Sequence, residues 1–139
     1  MIIRYTTSER DLLARLMRAE ALGEGNLGML MVGNVTVNRV LANCYTFKDI
    51  TSLYKAIYQT PGGFSGTSSS LFYASPTTRE KQLADRVVKG EYYYPATNAL
   101  WFYATSGNCG NSWYEQPFAG RYKTHCFYEP KPGICDEIY

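Results

Sequence analysis

The 139-residue chain is long enough to bury one substantial hydrophobic core but too short for two domains. Its 14 Lys and Arg against 12 Asp and Glu give a net charge of +2 with no basic run, which argues against a nucleic-acid-binding surface. It contains no stretch of about 18 apolar residues, the minimum for a membrane span. The first six residues lack the pattern of a Sec signal peptide, so any export is expected by another route. We expect one domain over residues 1–139, with its core from about 6 to 130.

The first predicted helix carries a carboxylate on its apolar face. Residues 6–9, Thr-Thr-Ser-Glu, form a capping box, and apolar residues then recur at helical spacing. Glu20 comes seven residues after Leu13 and three after Met17, so it shares that apolar face. Gly23 is expected to end the helix. A carboxylate in this position is unfavourable for stability.

A second helix is expected from Asn26 to Ala42, and it is apolar on so many sides that it should be central in the fold. The other elements follow in chain order: a third helix over 49–58, a loop over 59–70, a fourth helix from the capping box at Thr77 to Gly90, and strands over 100–103 and 121–128. The sequence therefore predicts an α+β fold in which three or four helices precede a small antiparallel sheet.

The four cysteines, Cys44, Cys109, Cys126 and Cys135, contain no C-x-x-C pair. One or two disulfides are expected, for example between Cys109 and Cys126, and buried free thiols are the alternative. A zinc site would need all four cysteines, or three with the single histidine, at irregular spacing. We therefore expect neither a metal nor another cofactor.

The position of Glu20 allows two interpretations. Burial disfavours the charged form and raises the pKa, and a carboxyl group that keeps its proton near neutral pH can donate it to a leaving oxygen. Alternatively, Glu20 forms a buried ion pair with Arg15, Arg18 or Arg39. Helical periodicity alone favours the ion pair.

Several short segments occur in the order found in a known enzyme family. They are Ala-Glu-Ala-Leu-Gly-Glu at 19–24, Asn-Arg-Val at 38–40, Gln59 with Phe-Ser at 64–65, Ala-Leu-Trp-Phe-Tyr at 99–103 and His-Cys-Phe at 125–127. Together they resemble the SleB/CwlJ family of cell wall hydrolases over about residues 12–128. Residues 113–130 are most similar to the CwlJ branch, the spore cortex-lytic enzymes.

This resemblance implies a lysozyme-like fold related to lytic transglycosylases and cleavage of spore cortex peptidoglycan during germination. It places the catalytic glutamate of the family at Glu20. It also implies that glycan strands are the binding partner. The implied location is the boundary of spore coat and cortex, with a partner protein that deposits the chain there.

The number of available carboxylates bears on the mechanism, because an ordinary glycosidase needs two that flank the scissile bond. Glu24 is the nearest second candidate, but it follows Gly23 and is expected to point elsewhere. Asp49 or Glu115 would serve only if the fold brings them in. In a lytic transglycosylase the 6-hydroxyl of muramic acid attacks instead, so one glutamate acts as acid and then as base. The sequence slightly favours transglycosylation, and hydrolysis is the alternative.

Six further residues are candidate substrate contacts, each with a structural alternative: Asn38, Gln59, Phe64, Ser65, Tyr103 and His125. Asn38 would bind an acetamido group or orient Glu20, or else form hydrogen bonds with the backbone in the core. The three loop residues would line the sugar cleft, or form an ordinary turn. The tyrosine would stack on a sugar or pair across strands, and the histidine would line the cleft or support its strand.

Two other function classes remain open. Thirteen tyrosines suit a surface that binds glycan or protein without cutting it, and an exposed Glu20 with an ordinary pKa would favour that interpretation. A peptidase that pairs His125 with a cysteine is conceivable, although no nucleophile motif is evident. A zinc amidase is disfavoured because the chain has one histidine.

Overall fold

The computed structural model of the chain describes residues 3–59, 63–135 and 138. Its helices are α1 (Thr7–Ala21), α2 (Gly25–Ala42), α3 (Leu53–Ile57), α4 (Ser70–Tyr73) and α5 (Thr78–Val88), with 3-10 turns at Leu22–Glu24, Tyr45–Phe47 and Ser65–Ser68. Its strands are β1 (Trp101–Ala104), β2 (Ser112–Trp113), β3 (Gln116–Tyr122) and β4 (His125–Tyr128). Helices followed by a small antiparallel sheet confirm the predicted α+β class.

Helix α1 begins and ends where the sequence predicted. The Thr6 hydroxyl accepts a hydrogen bond from the Glu9 N–H (3.1 Å), and the Glu9 carboxylate accepts one from the Thr6 N–H (3.0 Å). These two bonds complete the capping box. The α-helix ends at Ala21 with Leu22 as its C-cap, so Gly23 lies at the C′ position, as predicted. The chain continues through a 3-10 turn, and the positive φ that favours glycine occurs at Gly25 (79°). Glu20 lies in the last turn of α1.

Helix α2 is central, as its apolar sequence predicted. Every residue from 28 to 39 is buried, and α1 and α5 pack against it. Gly33 permits the close approach of α5, because a Cβ there would lie 2.8 Å from Cγ2 of Val87. The helix begins at Gly25, so Asn26 lies in its first turn and does not cap it. Within the part of the chain that the structure describes, no helix combines the length and the hydropathy that a membrane span requires.

The third predicted helix, over 49–58, is shorter than expected. The hydroxyl of Ser52 accepts a hydrogen bond from the Lys55 N–H (3.2 Å) and fixes the start of α3. The segment 59–70, expected to be a loop, contains a 3-10 turn and the start of α4. Helix α5 has the predicted capping box at Thr77.

The sheet has the strand order β1-β4-β3-β2 and is antiparallel throughout. The single strand predicted over 121–128 is wrong, because the chain turns between β3 and β4 at Lys123, which has φ of 50°. Tight hairpin turns usually use glycine or asparagine at such positions, so lysine gave no signal for this turn. The register pairs Ala104 with His125 and so places the histidine beside the end of β1.

Two disulfides tie loops to this framework. Cys109–Cys126 joins the loop before β2 to β4, which confirms the predicted pair, and Cys44–Cys135 joins the segment after α2 to the C-terminal segment. All four cysteines are thus oxidised, so a cysteine peptidase would lack its thiol. Within the described ranges, no group of three or more His, Cys, Asp or Glu is arranged to hold a metal ion.

Candidate active site

A cavity of about 1280 Å³ opens beside the C-terminal end of α1. That helix end, the segment 63–69, strand β1 and the tip of the β2–β3 hairpin form its walls. Small-molecule pockets usually have about 300–1,000 Å³. The cavity therefore has room for an extended ligand.

Glu20 lies in the wall of this cavity and is held by the backbone of a neighbouring loop. Its Oε1 accepts a hydrogen bond from the Gly66 N–H and a longer one from the Ser65 hydroxyl (3.4 Å). A side chain at position 66 would collide with the carboxyl group, because a Cβ there would lie 2.5 Å from Oε1. Glycine at this position therefore allows the loop to approach the acid closely.

The pKa of Glu20 is raised, mainly because burial removes the carboxylate from water. The hydrogen bonds from Gly66 and Ser65 and the positive charge of Arg39 act in the opposite direction, but they do not outweigh burial. An isolated surface carboxylate would show no such shift. The raised pKa agrees with the sequence expectation for a general acid.

Arg39 supplies a buried positive charge near the acid. Its Nε donates to the Leu100 carbonyl (2.8 Å), and its guanidinium lies over the rings of Phe64 (4.3 Å) and Phe47 (5.0 Å). Burial lowers the pKa of Arg39 to about 9, against the opposing effect of Glu20, so it is still positive at neutral pH.

The other candidate ion-pair partners of Glu20 are engaged elsewhere. Arg18 forms a buried ion pair with Glu80 (2.9 Å), and Arg15 donates to the Phe72 carbonyl (2.5 Å). The alternative of an ion pair with either arginine is therefore wrong. Glu20 instead receives its hydrogen bonds from a loop that borders the cavity.

Five of the six predicted substrate contacts line the same cavity as the acid: Gln59, Phe64, Ser65, Tyr103 and His125. The ring of Phe64 stacks on Phe102 at 5.8 Å, and Gln59 donates from Nε2 to the Thr46 carbonyl (3.1 Å). The hydroxyl of Tyr103 accepts hydrogen bonds from the backbone of the loop before β2 and from a neighbouring tyrosine. Their contact with substrate remains a prediction.

Asn38 is the exception, and the prediction that it contacts substrate is corrected. Its side chain is 2% exposed and lies outside the cavity wall. Its amide Nδ2 donates to the carbonyls of Ala96, Thr97 and Ala99 at 2.9–3.2 Å. The residue therefore joins α2 to the segment that leads into β1, which is the structural alternative.

His125 is buried at the base of the cavity, with 3% of its surface exposed. Its ring packs edge-on against Phe102 (5.3 Å), and Nδ1 lies 3.1 Å from Oε1 of Glu24. Burial lowers the pKa of His125, although the Glu24 carboxylate and the backbone of Glu20 favour the charged ring. These contacts indicate that the histidine supports the end of α1 more than it offers a surface to ligand.

Glu24 points away from the cavity, as the sequence predicted. Its carboxylate accepts hydrogen bonds from the N–H (3.0 Å) and hydroxyl of Thr124. Burial acts to raise the pKa of Glu24, but the two bonds from Thr124 and the charges of His125 and Lys123 outweigh it, so the pKa is lowered. Glu24 thus holds the β3–β4 turn against the 3-10 turn after α1.

Among the residues that line the cavity, sequence reasoning missed Tyr45, Gly66, Trp113 and Tyr114, and it named Glu115 only on condition that the fold brings it in. Of the two conditional carboxylates, Glu115 lines the cavity and Asp49 does not. Only Gly66 had a usable signal, since it follows the Phe-Ser pair that had been identified.

Comparison with known proteins extends these observations. The family model described as cell wall hydrolase matches residues 23–128, a span that begins just after Glu20. The relatives named cell wall hydrolase CwlJ from Halalkalibacterium halodurans and Oceanobacillus iheyensis are 50% and 48% identical to this chain, with 99% of the chain and 96% and 98% of the relatives covered. The CwlJ protein of Bacillus subtilis is 44% identical, with 99% of this chain and 96% of that protein covered.

Two solved structures share the fold. The catalytic domain of the Bacillus cereus SleB protein superimposes with a TM-score of 0.70 at 22% identity, covering 91% of this chain and 93% of that one. The catalytic domain of the germination-specific lytic transglycosylase SleB from Bacillus anthracis gives the same TM-score at 21% identity, covering 90% and 97%. These matches confirm the predicted lysozyme-like fold. With its family match and its relatives, this chain belongs to the cell wall hydrolase family.

Proposed function

We propose that this chain cleaves the glycan strands of spore cortex peptidoglycan during germination, with Glu20 as its general acid. The observation that carries the proposal is a partly buried carboxyl group with a raised pKa in the wall of a large cavity. The relatives named cell wall hydrolase and the fold shared with a germination-specific lytic transglycosylase support the substrate and the setting.

The hydrogen bonds of Glu20 favour one of its oxygens as the carrier of the proton. Oε1 accepts from the Gly66 N–H and from the Ser65 hydroxyl, so Oε2 is the oxygen that carries the proton and donates it to the leaving group. After donation, the same two donors and the positive charge of Arg39 stabilise the carboxylate. Glu20 is then able to act as a base in the second half of the reaction.

We propose transglycosylation as the reaction, in which the 6-hydroxyl of muramic acid attacks the anomeric carbon and passes its proton to Glu20. The bond to the leaving oxygen breaks as that oxygen takes the first proton, so the product carries an anhydro end. This route needs one carboxyl group, and Glu24 is engaged with Thr124 outside the cavity. Hydrolysis is the second candidate, because Glu115 lines the cavity and would be the second carboxylate.

The expected location and partner rest on the similarity to the CwlJ relatives. We propose that the chain acts at the boundary of spore coat and cortex, where a partner protein deposits it. Peptidoglycan glycan is the ligand in this proposal, and a non-catalytic glycan- or protein-binding module is the competing function.

Release of soluble glycan from purified spore cortex tests the proposal. Glu20→Gln keeps the side-chain volume but removes the transferable proton, so the rate should fall by about 10²–10⁴-fold. Glu24→Gln is the matched control and should keep most of the activity. Release at equal rates by the wild type and Glu20→Gln would contradict the assignment of the acid, and glycan binding without release by any variant would favour a binding module.

A further inference from the structure

The cavity presents three exposed aromatic side chains whose function is not explained by proton transfer. Tyr45, Trp113 and Tyr114 are 54%, 38% and 62% exposed, and all three line the cavity with Glu20. They come from two separate elements, the 3-10 turn after α2 and the β2–β3 hairpin. Exposed aromatic rings that share a cavity with an acid are candidates for ligand contact.

The backbone at Tyr45 and Tyr114 is held in a conformation that bulky residues rarely adopt. Tyr45 has φ of 54°, and Tyr114 and Glu115 have φ of 51° and 64°. Trp113 pairs with Gln116, so the two residues between them form a two-residue hairpin turn, for which Asn-Gly is the usual sequence. Large side chains at strained positions point to a use for those side chains.

Aromatic packing and hydrogen bonds also hold the hairpin tip in place. The ring of Trp113 packs on Tyr103 at 4.6 Å and on Tyr114 at 5.1 Å. The Tyr103 hydroxyl accepts hydrogen bonds from the Gly110 N–H (2.9 Å) and the Tyr128 hydroxyl (3.0 Å). A ring surface fixed in this way loses little conformational freedom when a ligand binds.

We propose, on the basis of the glycan cleavage proposed above, that Tyr45 and the hairpin tip Trp113–Tyr114 form a stacking surface for pyranose rings of the bound glycan. A pyranose ring has an apolar C–H face and polar edges, which match the flat face and polar tip of tyrosine. Glu115 at the same tip accepts a hydrogen bond from a hydroxyl or an amide N–H. Its negative charge favours an uncharged N-acetylated hexosamine there over a ring with a free carboxylate.

Binding measured without cleavage separates this surface from the acid. In the Glu20→Gln protein, calorimetry with the tetramer of N-acetylglucosamine and with soluble cortex fragments gives the reference affinity. Adding Tyr45→Ala or Tyr114→Ala should each weaken binding by about threefold to tenfold. With Glu20 intact, the same changes should raise KM and leave kcat within about twofold, because a stacking contact made equally in the ground and transition states changes binding alone.

Two further variants distinguish ligand binding from a structural role. Tyr73→Ala, at a residue that is 69% exposed and outside this cavity, should leave binding unchanged. Tyr114→Asn relieves the backbone strain, so it should raise Tm while it weakens binding, whereas a merely structural tyrosine would lower Tm and leave binding unchanged.

Equal binding by the Glu20→Gln protein and its tyrosine variants, or no binding by any of them, would overturn this inference. Tyrosine-dependent binding by a wild-type protein that releases no glycan would instead overturn the proposed catalytic function and support the stacking surface. The experiment therefore distinguishes failure of the proposed stacking surface from failure of the proposed catalytic function.

Discussion

Replacing Gly66 by alanine should displace the carboxyl group of Glu20 without removing it. An ideal Cβ at position 66 would lie 2.5 Å from Oε1 and 3.0 Å from both Cδ and Cγ of Glu20. Non-bonded atoms are at their best separation near about 3.5 Å, so the acid or the loop must move by about 1 Å. A misplacement of about 1 Å costs about 10²-fold in rate, which corresponds to about 2.7 kcal/mol of transition-state stabilisation.

The initial rate of glycan release from purified cortex measures this effect, with Tm as the check on folding. Gly23→Ala is the matched control, because no atom lies within 4 Å of a Cβ at that position. It should stay within about twofold of the wild-type rate. A wild-type rate for Gly66→Ala would refute the inferred role of the loop, and an equal loss in Gly23→Ala would show that the effect is not specific to the contact with Glu20.

Three other perturbations test separate parts of the account. The rate should fall as pH rises through the raised pKa of Glu20. Ser65→Ala should move this limb of the kcat/KM profile to higher pH, because it removes a hydrogen bond that favours the carboxylate. An unshifted limb would contradict this. Glu24→Gln should lower the free energy of unfolding in urea by about 1–3 kcal/mol, since an uncharged amide replaces the carboxylate that accepts two hydrogen bonds from Thr124. Because the folded pKa of Glu24 is lowered, this stabilisation should be present above the ordinary glutamate pKa and be lost as pH falls through the lowered value, whereas a pH-independent difference would contradict the linkage. Replacing Cys109 and Cys126 together by serine should cost about 3 kcal/mol in the same assay, from their sequence separation of 17, and a negligible change would contradict it.

The features that could be predicted from the sequence depend on neighbouring residues. The capping boxes at Thr6 and Thr77 consist of residues three apart, and the structure confirms both. The central position of α2 follows from its apolar composition in the same way. Helical spacing places Glu20 on the apolar face of α1, and the ordered family segments around it then identified it as the candidate acid.

The features that were missed depend on contacts between distant parts of the chain. The bond from Gly66 to Glu20 spans 46 positions, and the bonds from Asn38 to the segment before β1 span 58 to 61. No local pattern reports whether such an amide faces a ligand or a carbonyl. The turn at Lys123 and the hairpin tip at Tyr114 were missed because neither position carries the glycine or asparagine that usually marks a positive φ.

Purified spore cortex incubated with the wild type and with Glu20→Gln releases soluble fragments whose ends mass spectrometry identifies. If Glu20 drives transglycosylation, 1,6-anhydromuramic ends are expected from the wild type alone. Reducing ends from the wild type alone would retain Glu20 as the acid, contradict transglycosylation and implicate Glu115 as the second carboxylate. Fragments released by Glu20→Gln at the wild-type rate would contradict the claim that Glu20 donates the proton.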